Sequence, residues 1–317
     1  MKLLTHSPVL ASEAINGLNI KPNGLYIDGT FGGGGHTKLI LSKLNSQGHL
    51  YAIDRDPQAI KIAASINDSR FTIIPGQFSN LAIYMNKKKL IGCIDGILLD
   101  LGISTHQIDH AERGFSFMHD GPLDMRMDPT NGLSAAQWIS NANEYEMYWI
   151  FKNFGEERFA RRIARSIYRY KKLKKPITRT KELVDLIYAT VPHRRKYNKH
   201  PATRCFQAIR IFINNELKEL EQVLQSALIV LRNSGRLSVI SFHSLEDRIV
   251  KRFINKYSSC KNVIPHEIPL TDAELNSYYT NLKKLKPIAK IKPTKREINH
   301  NIRARSAILR IVEKIID

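Results

Sequence analysis

Apolar positions in this chain follow two rhythms. Short runs, several ending on an acid, alternate with longer stretches of helical spacing. Leu25-Tyr26-Ile27 ends on Asp28, His49 to Ile53 ends on Asp54, and Asp95 to Leu99 ends on Asp100. With Phe71 to Ile74, Arg236 to Phe242 and Ser306 to Val312, these runs predict strands. Between them the pattern predicts helices. One is capped by Ser7-Pro8 and ends at Gly17; others are Thr37 to Leu44 and Asp56-Pro57 through Ala64. Phe206 to Leu231 reads as one long helix, stopped by Asn233-Ser234-Gly235, and Ser244 with Asp247 resembles a capping box opening another. Strands alternating with helices make an α/β fold, a mostly parallel doubly wound sheet of Rossmann-like kind. Ligands of such sheets sit beyond the carboxyl ends of the strands, where the strand order reverses. Asp54, Phe78 and Asp100 all fall on carboxyl-end segments.

The rhythm breaks after the fourth strand. Residues 105–205 hold helical patterns around Ala135 to Phe154, Glu156 to Tyr170 and Thr180 to Thr190. The expected organisation is a sheet domain of residues 1–104 plus 206–317, split by an inserted helical domain of residues 105–205. In the second pattern Phe159, Ile163, Ile167 and Tyr170 share one face, while Arg158, Arg161, Arg162, Arg165 and Arg169 cover the rest. Arg161, Arg162 and Arg165 are the candidate phosphate contacts, since a basic surface over a buried stripe suits a polyanion. A merely solvated charged face is the plainer alternative.

The stretch between the first strand and its helix carries the most chemistry. Four glycines, Gly32 to Gly35, precede His36. Without a Cβ they let a ligand touch the backbone, and the first N–H groups of the next helix lack intrahelical partners. Asp54, about 20 residues on, is placed to accept from ribose hydroxyls. The dinucleotide spacing G-x-G-x-x-G fails, because Thr37 and Lys38 stand where its last glycine belongs, and no P-loop pattern occurs. Acid, clustered glycines and a second acid-ended strand fit S-adenosylmethionine, which has a ribose, an adenine and an amino-acid tail but no pyrophosphate. A glycine turn with no ligand is the bland alternative, and a helix N-terminal acid is that for Asp54.

Composition sharpens the partner. The net charge is +20, with 49 Lys and Arg against 29 Asp and Glu. Residues 1–150 carry 12 basic and 14 acidic side chains, and residues 151–317 carry 37 and 15. A basic second half, including the tail Lys283 to Arg296, suggests a polyanion, nucleic acid first. No apolar run is long enough to span a membrane, and the N-terminus lacks a signal-peptide block. Cys93, Cys205 and Cys260 are far apart with no metal-site spacing. No metal, no disulfide and a cytoplasmic location are expected.

Long motifs then add a resemblance. DGTFGGGGH at 28–36, AIDRDPQAI at 52–60, DGILLDLGIS at 95–104 and ERGFSFM at 112–118 are among them. DGPLDMRMDP at 120–129, GEERFARRIARSI at 155–167, HPATRCFQAIRI at 200–211, ISFHSLEDRIVKRF at 240–253 and NIRARSAILRI at 301–311 complete the set. Together the chain resembles the bacterial small-subunit ribosomal RNA cytosine-N4 methyltransferases, the MraW family, over nearly its whole length. The resemblance implies an S-adenosylmethionine-dependent enzyme acting on a P-site cytosine of 16S ribosomal RNA in the small ribosomal subunit. It also implies cofactor contacts at Gly34, Gly35, His36, Asp54, Phe78, Asp100 and Gln107. Thr30 stands where many methyltransferases have a glycine, as it does in this family.

A cytosine amino group is a weak nucleophile, so its transfer reaction needs acceptors on the N–H bonds and in-line placement. Asp100 is the catalytic candidate; a residue that only orients the cofactor is its alternative reading. Phe115, Phe117 and Trp138 are candidates to stack a flipped base, or are core. His36 and His243 can be structural. Two other classes stay open: a nicotinamide oxidoreductase, disfavoured by the glycine spacing, and a non-catalytic ribosome assembly factor retaining the fold.

Overall fold

The computed structural model describes residues 8–173, 176–192, 200–258 and 283–315. The expected cap Ser7, together with Lys174, Lys175 and Cys260, lies outside them. The chain divides into two compact units, one running to Gly102 and resuming at Leu217, the other Ile103–Glu216. The outgoing crossing therefore falls at 216/217 rather than at the expected 205/206.

The first unit is built as α1 (Ala11–Leu18), β1 (Leu25–Asp28), α2 (Gly35–Leu41), β2 (His49–Asp54), α3 (Pro57–Ala64), β3 (Phe71–Pro75), α4 (Leu81–Lys87) and β4 (Ile94–Asp100). The helices of the second unit are α5 (Thr105–Asp109), α6 (Ala135–Asn141), α7 (Glu144–Asn153), α8 (Ala160–Leu173), α9 (Thr180–Thr190) and α10 (Thr203–Ile213). After them come α11 (Glu216–Val230), β5 (Leu231–Ser241), α12 (Ser244–Ser258), β6 (Leu285–Ile291) and β7 (Ile308–Lys314).

The seven strands form one sheet in the order β3-β2-β1-β4-β5-β7-β6. β1, β2, β3, β4 and β5 pair in parallel, and β7 runs antiparallel to both β5 and β6. Successive residues of a strand point to opposite faces, and the core follows that alternation. Ile97 and Leu99 join the cluster under α11 and α12, while Leu98 joins Tyr26 and Leu50 under α1 and α2. β4 is buried along all but its last residue, as a central parallel strand must be. The basic tail is not loop throughout: Leu285–Ile291 forms the edge strand β6, with Lys286, Pro287 and Lys290 exposed on it. Lysine and proline on an edge discourage pairing with foreign strands. Ser244 opens α12, where Glu246 accepts from the N–H of Phe242 at 2.8 Å and Asp247 pairs with Arg310 at 2.7 Å.

The second unit has its own core, with Met147, Phe151, Ile163, Ile167, Leu183 and Ile209 among its buried members. The single helix expected from Phe206 to Leu231 is two. Asn215 takes a positive φ of 53°, ending α10, and the Asn214 side chain turns away to the 125–127 loop. There it accepts from the N–H of Met127 and donates to the carbonyl of Met125, both at 2.7 Å. The Arg113 guanidinium pins the same loop through the carbonyls of Arg126 and Met127. Phe115 and Trp138 are buried in this core, and Phe117 lies stacked on His200 with ring centroids 4.9 Å apart. Phe115 and Trp138 are therefore packing residues, which corrects the base-stacking expectation for those two, while Phe117 is half-buried against the same core. Among the described residues no helix is long and apolar enough to cross a membrane.

Candidate functional site

The strand register builds a notch at the centre of the sheet. Asp28, the last residue of β1, stands opposite Ala52 of β2 and Leu98 of β4. Both neighbours run two residues further, to Asp54 and Asp100. The glycine loop turns into the space that β1 leaves. Gly29 donates to the Leu98 carbonyl at 2.9 Å and Phe31 to that of Ile53 at 3.1 Å, so both neighbouring strands hold the loop. This is also where the strand order reverses, β2 and β3 lying on one side of β1 and β4 and β5 on the other.

Buried Asp28 organises the loop from within. Its carboxylate accepts from the Thr37 hydroxyl at 2.7 Å and from the Thr30 N–H at 3.2 Å. The Thr30 hydroxyl in turn accepts the Asp100 N–H at 2.6 Å, joining the loop to the end of β4. A glycine at residue 30 would lose that link. Gly34 is the residue before α2, with a φ of +74°, and a Cβ there would meet the Phe31 ring at 2.9 Å. A Cβ on Gly33 would meet nothing within 4 Å, so that part of the loop is open to a ligand.

Asp54 is held by two backbone donors, the N–H of Gly32 at 2.8 Å and that of Asp56 at 2.9 Å. Burial nonetheless pushes its carboxyl up to about 6, with Asp56 and Asp28 adding repulsion that those donors do not cancel. Two carboxylate oxygens offer about four acceptor positions, so two remain for ribose hydroxyls. His36 is buried at the first turn of α2, and its Nε2 lies 3.6 Å from a carboxylate oxygen of Asp100. Burial pulls its imidazole down, but the Asp100 carboxylate, assisted by Asp28, outweighs burial and leaves it above its ordinary value. Both His36 ring nitrogens and the Asp100 Oδ1 are buried without a hydrogen-bond partner among the described residues. Buried polar atoms left in this state mark a place prepared for an outside partner. Phe78 opens the turn after β3 and packs on the core beneath α4.

Gly34, Gly35, His36, Asp54, Phe78 and Asp100 thus all lie on carboxyl-end segments of one sheet. Gln107 belongs to the helical unit, where it closes a capping box with Ser104, accepting its N–H at 3.0 Å. Arg161, Arg162 and Arg165 are exposed on α8, above the buried Ile163, Ala164 and Ile167. Sequence reasoning took Asp28 as the acid ahead of the glycines but missed Thr30 and Thr37 as the groups that bind it and tie the loop to β4. The available signal was an acid closing a strand with hydroxyls two and nine places on.

The residues present fit a nucleoside with a positively charged tail: an acid for ribose, an open glycine backbone and three carboxylates, Asp28, Asp54 and Asp100, for the charge. Comparison with known proteins agrees. The sequence matches the family described as the MraW methylase family over residues 3–315. Among solved structures, a putative rRNA-methylase from Clostridium thermocellum is 13% identical, with 99% of each chain covered and a TM-score of 0.44. An rRNA methylase from Streptococcus thermophilus is 11% identical, covering 98% of this chain and 100% of its own, with a TM-score of 0.37. TrmN from Thermus thermophilus is 11% identical, covering 96% and 48%, with a TM-score of 0.41. Likenesses this distant say nothing about substrate; the assignment rests on the family match.

Proposed function

This chain belongs to the MraW methylase family, with S-adenosylmethionine as its cofactor, and on that premise we propose that it methylates ribosomal RNA, at the N4 amino group of a P-site cytosine in the 16S RNA of the small subunit. The observation that carries the reading is the notch at the strand-order switch, where Asp54 has free acceptor positions and Asp100 Oδ1 is buried and unpartnered beside His36. S-adenosylmethionine, when bound, supplies an electrophilic methyl group on a sulfonium.

The residues of the chain do the rest. Asp54 accepts from the ribose hydroxyls, and the backbone at Gly34 and Gly35 leaves room for close approach. Asp100 accepts an N–H of the cytosine amino group. That pull raises electron density on a nitrogen whose lone pair is otherwise delocalised into the ring, and the carboxylate opposes the positive charge that develops there. His36 faces the other Asp100 oxygen and fixes the carboxylate's orientation. Arg161, Arg162 and Arg165 hold RNA phosphates, where the guanidinium fork suits two oxygens at once.

The test is methyl transfer from labelled cofactor to small subunits purified from a strain lacking this protein. The expected result is label in one cytosine of the 16S RNA. Label on another base or in the large subunit overturns the target, and binding without label would leave a non-catalytic assembly factor.

A further inference from the structure

Helix α7 presents aromatic side chains outside its buried stripe, although the Trp149 ring also meets Phe154 edge-on with centroids 5.4 Å apart. Met147, Ile150 and Phe151 form its buried stripe. Tyr145 and Trp149 lie off that stripe, one helical turn apart, and are 70% and 45% exposed. Two large rings facing water on one turn need a reason other than the core. The neighbouring surface supplies one. The Tyr145 and Tyr148 ring centroids are 6.1 Å apart, and the Arg161 guanidinium of α8 lies 5.6 Å from the Tyr148 ring. The aromatic row therefore runs directly into the basic row. Glu146, one of two acids on this helix, accepts from the Trp138 indole at 2.9 Å, and Glu144 lies in the first turn, where an acid complements the helix dipole.

We propose that this face of α7 and α8 is a platform for single-stranded RNA, on which unpaired bases stack against Tyr145 and Trp149 while Arg161 and Arg165 hold the phosphates. Every base has a π-face, so aromatic rings beside a basic groove bind single strands with little sequence preference. A duplex keeps its base faces covered and offers only phosphates. The proposal deepens the RNA reading above by stating the form of RNA this unit takes.

The chain has two tryptophans, and Trp138 is only 3% exposed. Quenching of the full-length protein's fluorescence by RNA therefore reports on Trp149. Short oligoadenylate should quench it, whereas a duplex RNA of equal length and heparin, a polyanion without bases, should bind without quenching. The Tyr145→Ala/Trp149→Ala variant should bind labelled oligoadenylate at least about fivefold more weakly for each ring removed, with heparin affinity unchanged. Equal quenching by duplex or heparin, or wild-type oligoadenylate affinity in the variant, overturns the platform. Quenching by an acidic peptide and not by oligoadenylate assigns the face to a protein partner and overturns it too. Oligoadenylate carries no cytosine, so failure of the methyl-transfer proposal would leave this result standing.

Discussion

Replacing Asp54 by asparagine should shift stability relative to the wild type in the variant's favour as pH rises from 5 to 8, while loosening the grip of the protein on the cofactor. The Asp54 carboxyl titrates near 6 in the folded state because burial opposes its charge. Between the ordinary carboxylate value and 6 the folded protein holds more protons than the unfolded chain. Stability from this group is therefore greatest below about pH 4 and falls as pH rises, with the full penalty present above 6. A shift of this size corresponds to roughly 3 kcal/mol at most, and nearer 2 once the side chain's partial exposure is allowed for. Asparagine resembles the protonated acid in shape and removes that pH-dependent penalty, at a pH-independent cost, because its NH2 faces one of the two backbone N–H donors of Gly32 and Asp56. It also presents an N–H group where the carboxylate had an acceptor, so ribose hydrogen bonds to a charged partner, each worth about 1.5–3 kcal/mol, are lost. Unfolding midpoints of both proteins at pH 5 and pH 8, with calorimetric cofactor titrations, give both sides. The variant's stability relative to the wild type should rise from pH 5 to pH 8, which separates Asp54 from other titrating groups, and cofactor affinity should fall tenfold or more. A difference that does not change with pH, or an undiminished affinity, refutes the reasoning.

Three further outcomes are expected. Asp100→Asn should slow single-turnover methylation at saturating cofactor by about tenfold or more, some 1.4 kcal/mol of barrier, and weaken cofactor binding less. In the same variant the His36 imidazole should titrate lower, since its main raising partner has gone; an unmoved His36 signal by NMR would contradict the pairing. Arg161, Arg162 and Arg165 changed together to glutamine should flatten the salt dependence of RNA binding by up to about 2 in log–log slope, with cofactor affinity unaltered; an unchanged slope counts against the basic face. Gly121→Ala should destabilise the helical unit by about 1–3 kcal/mol or more, read as a lower unfolding midpoint, because its Cβ would run into the Ala111 carbonyl.

The central notch was legible because each of its strands is a short apolar run closed by an acid, and local pattern is enough to show that. What the pattern hid was contact at long range. Leu285–Ile291 carries three charged or proline positions among seven residues and reads as a polar tail. It becomes a strand only because β7 supplies a partner, with an irregularity in register between Pro287 and Ala289. The break between α10 and α11 was hidden for a similar reason, since apolar residues at helical spacing, Ile209 and Ile213 before it and Leu217 and Leu220 after it, continue through it. Asn214 and Asn215 are the local sign, both tolerant of turn conformations. Aromatic residues mislead in either direction: Phe115 sits in a loop bearing glycines and methionines yet is core, and of the aromatics on helices Trp138 is core while Tyr145 and Trp149 face water.

The placement of the helical unit between β4 and β5 also bears on the order in which the chain is made. β4 is flanked in the finished sheet by β1 and β5, and β5 lies beyond the whole of Ile103–Glu216. At roughly 5–20 residues per second of synthesis, β4 has one bare hydrogen-bonding edge for on the order of ten seconds before its partner emerges. That edge belongs to a strand that is buried along all but its last residue in the finished fold and carries Ile97, Leu98 and Leu99 in succession, the kind of segment that recruits other nascent chains. The inserted unit, with a core of its own, can fold during this interval, whereas the sheet must wait. Chaperone dependence during translation should therefore be greatest in chains stalled after Gly102, fall in chains long enough to expose Ser241, and end only when β7 covers the outer edge of β5.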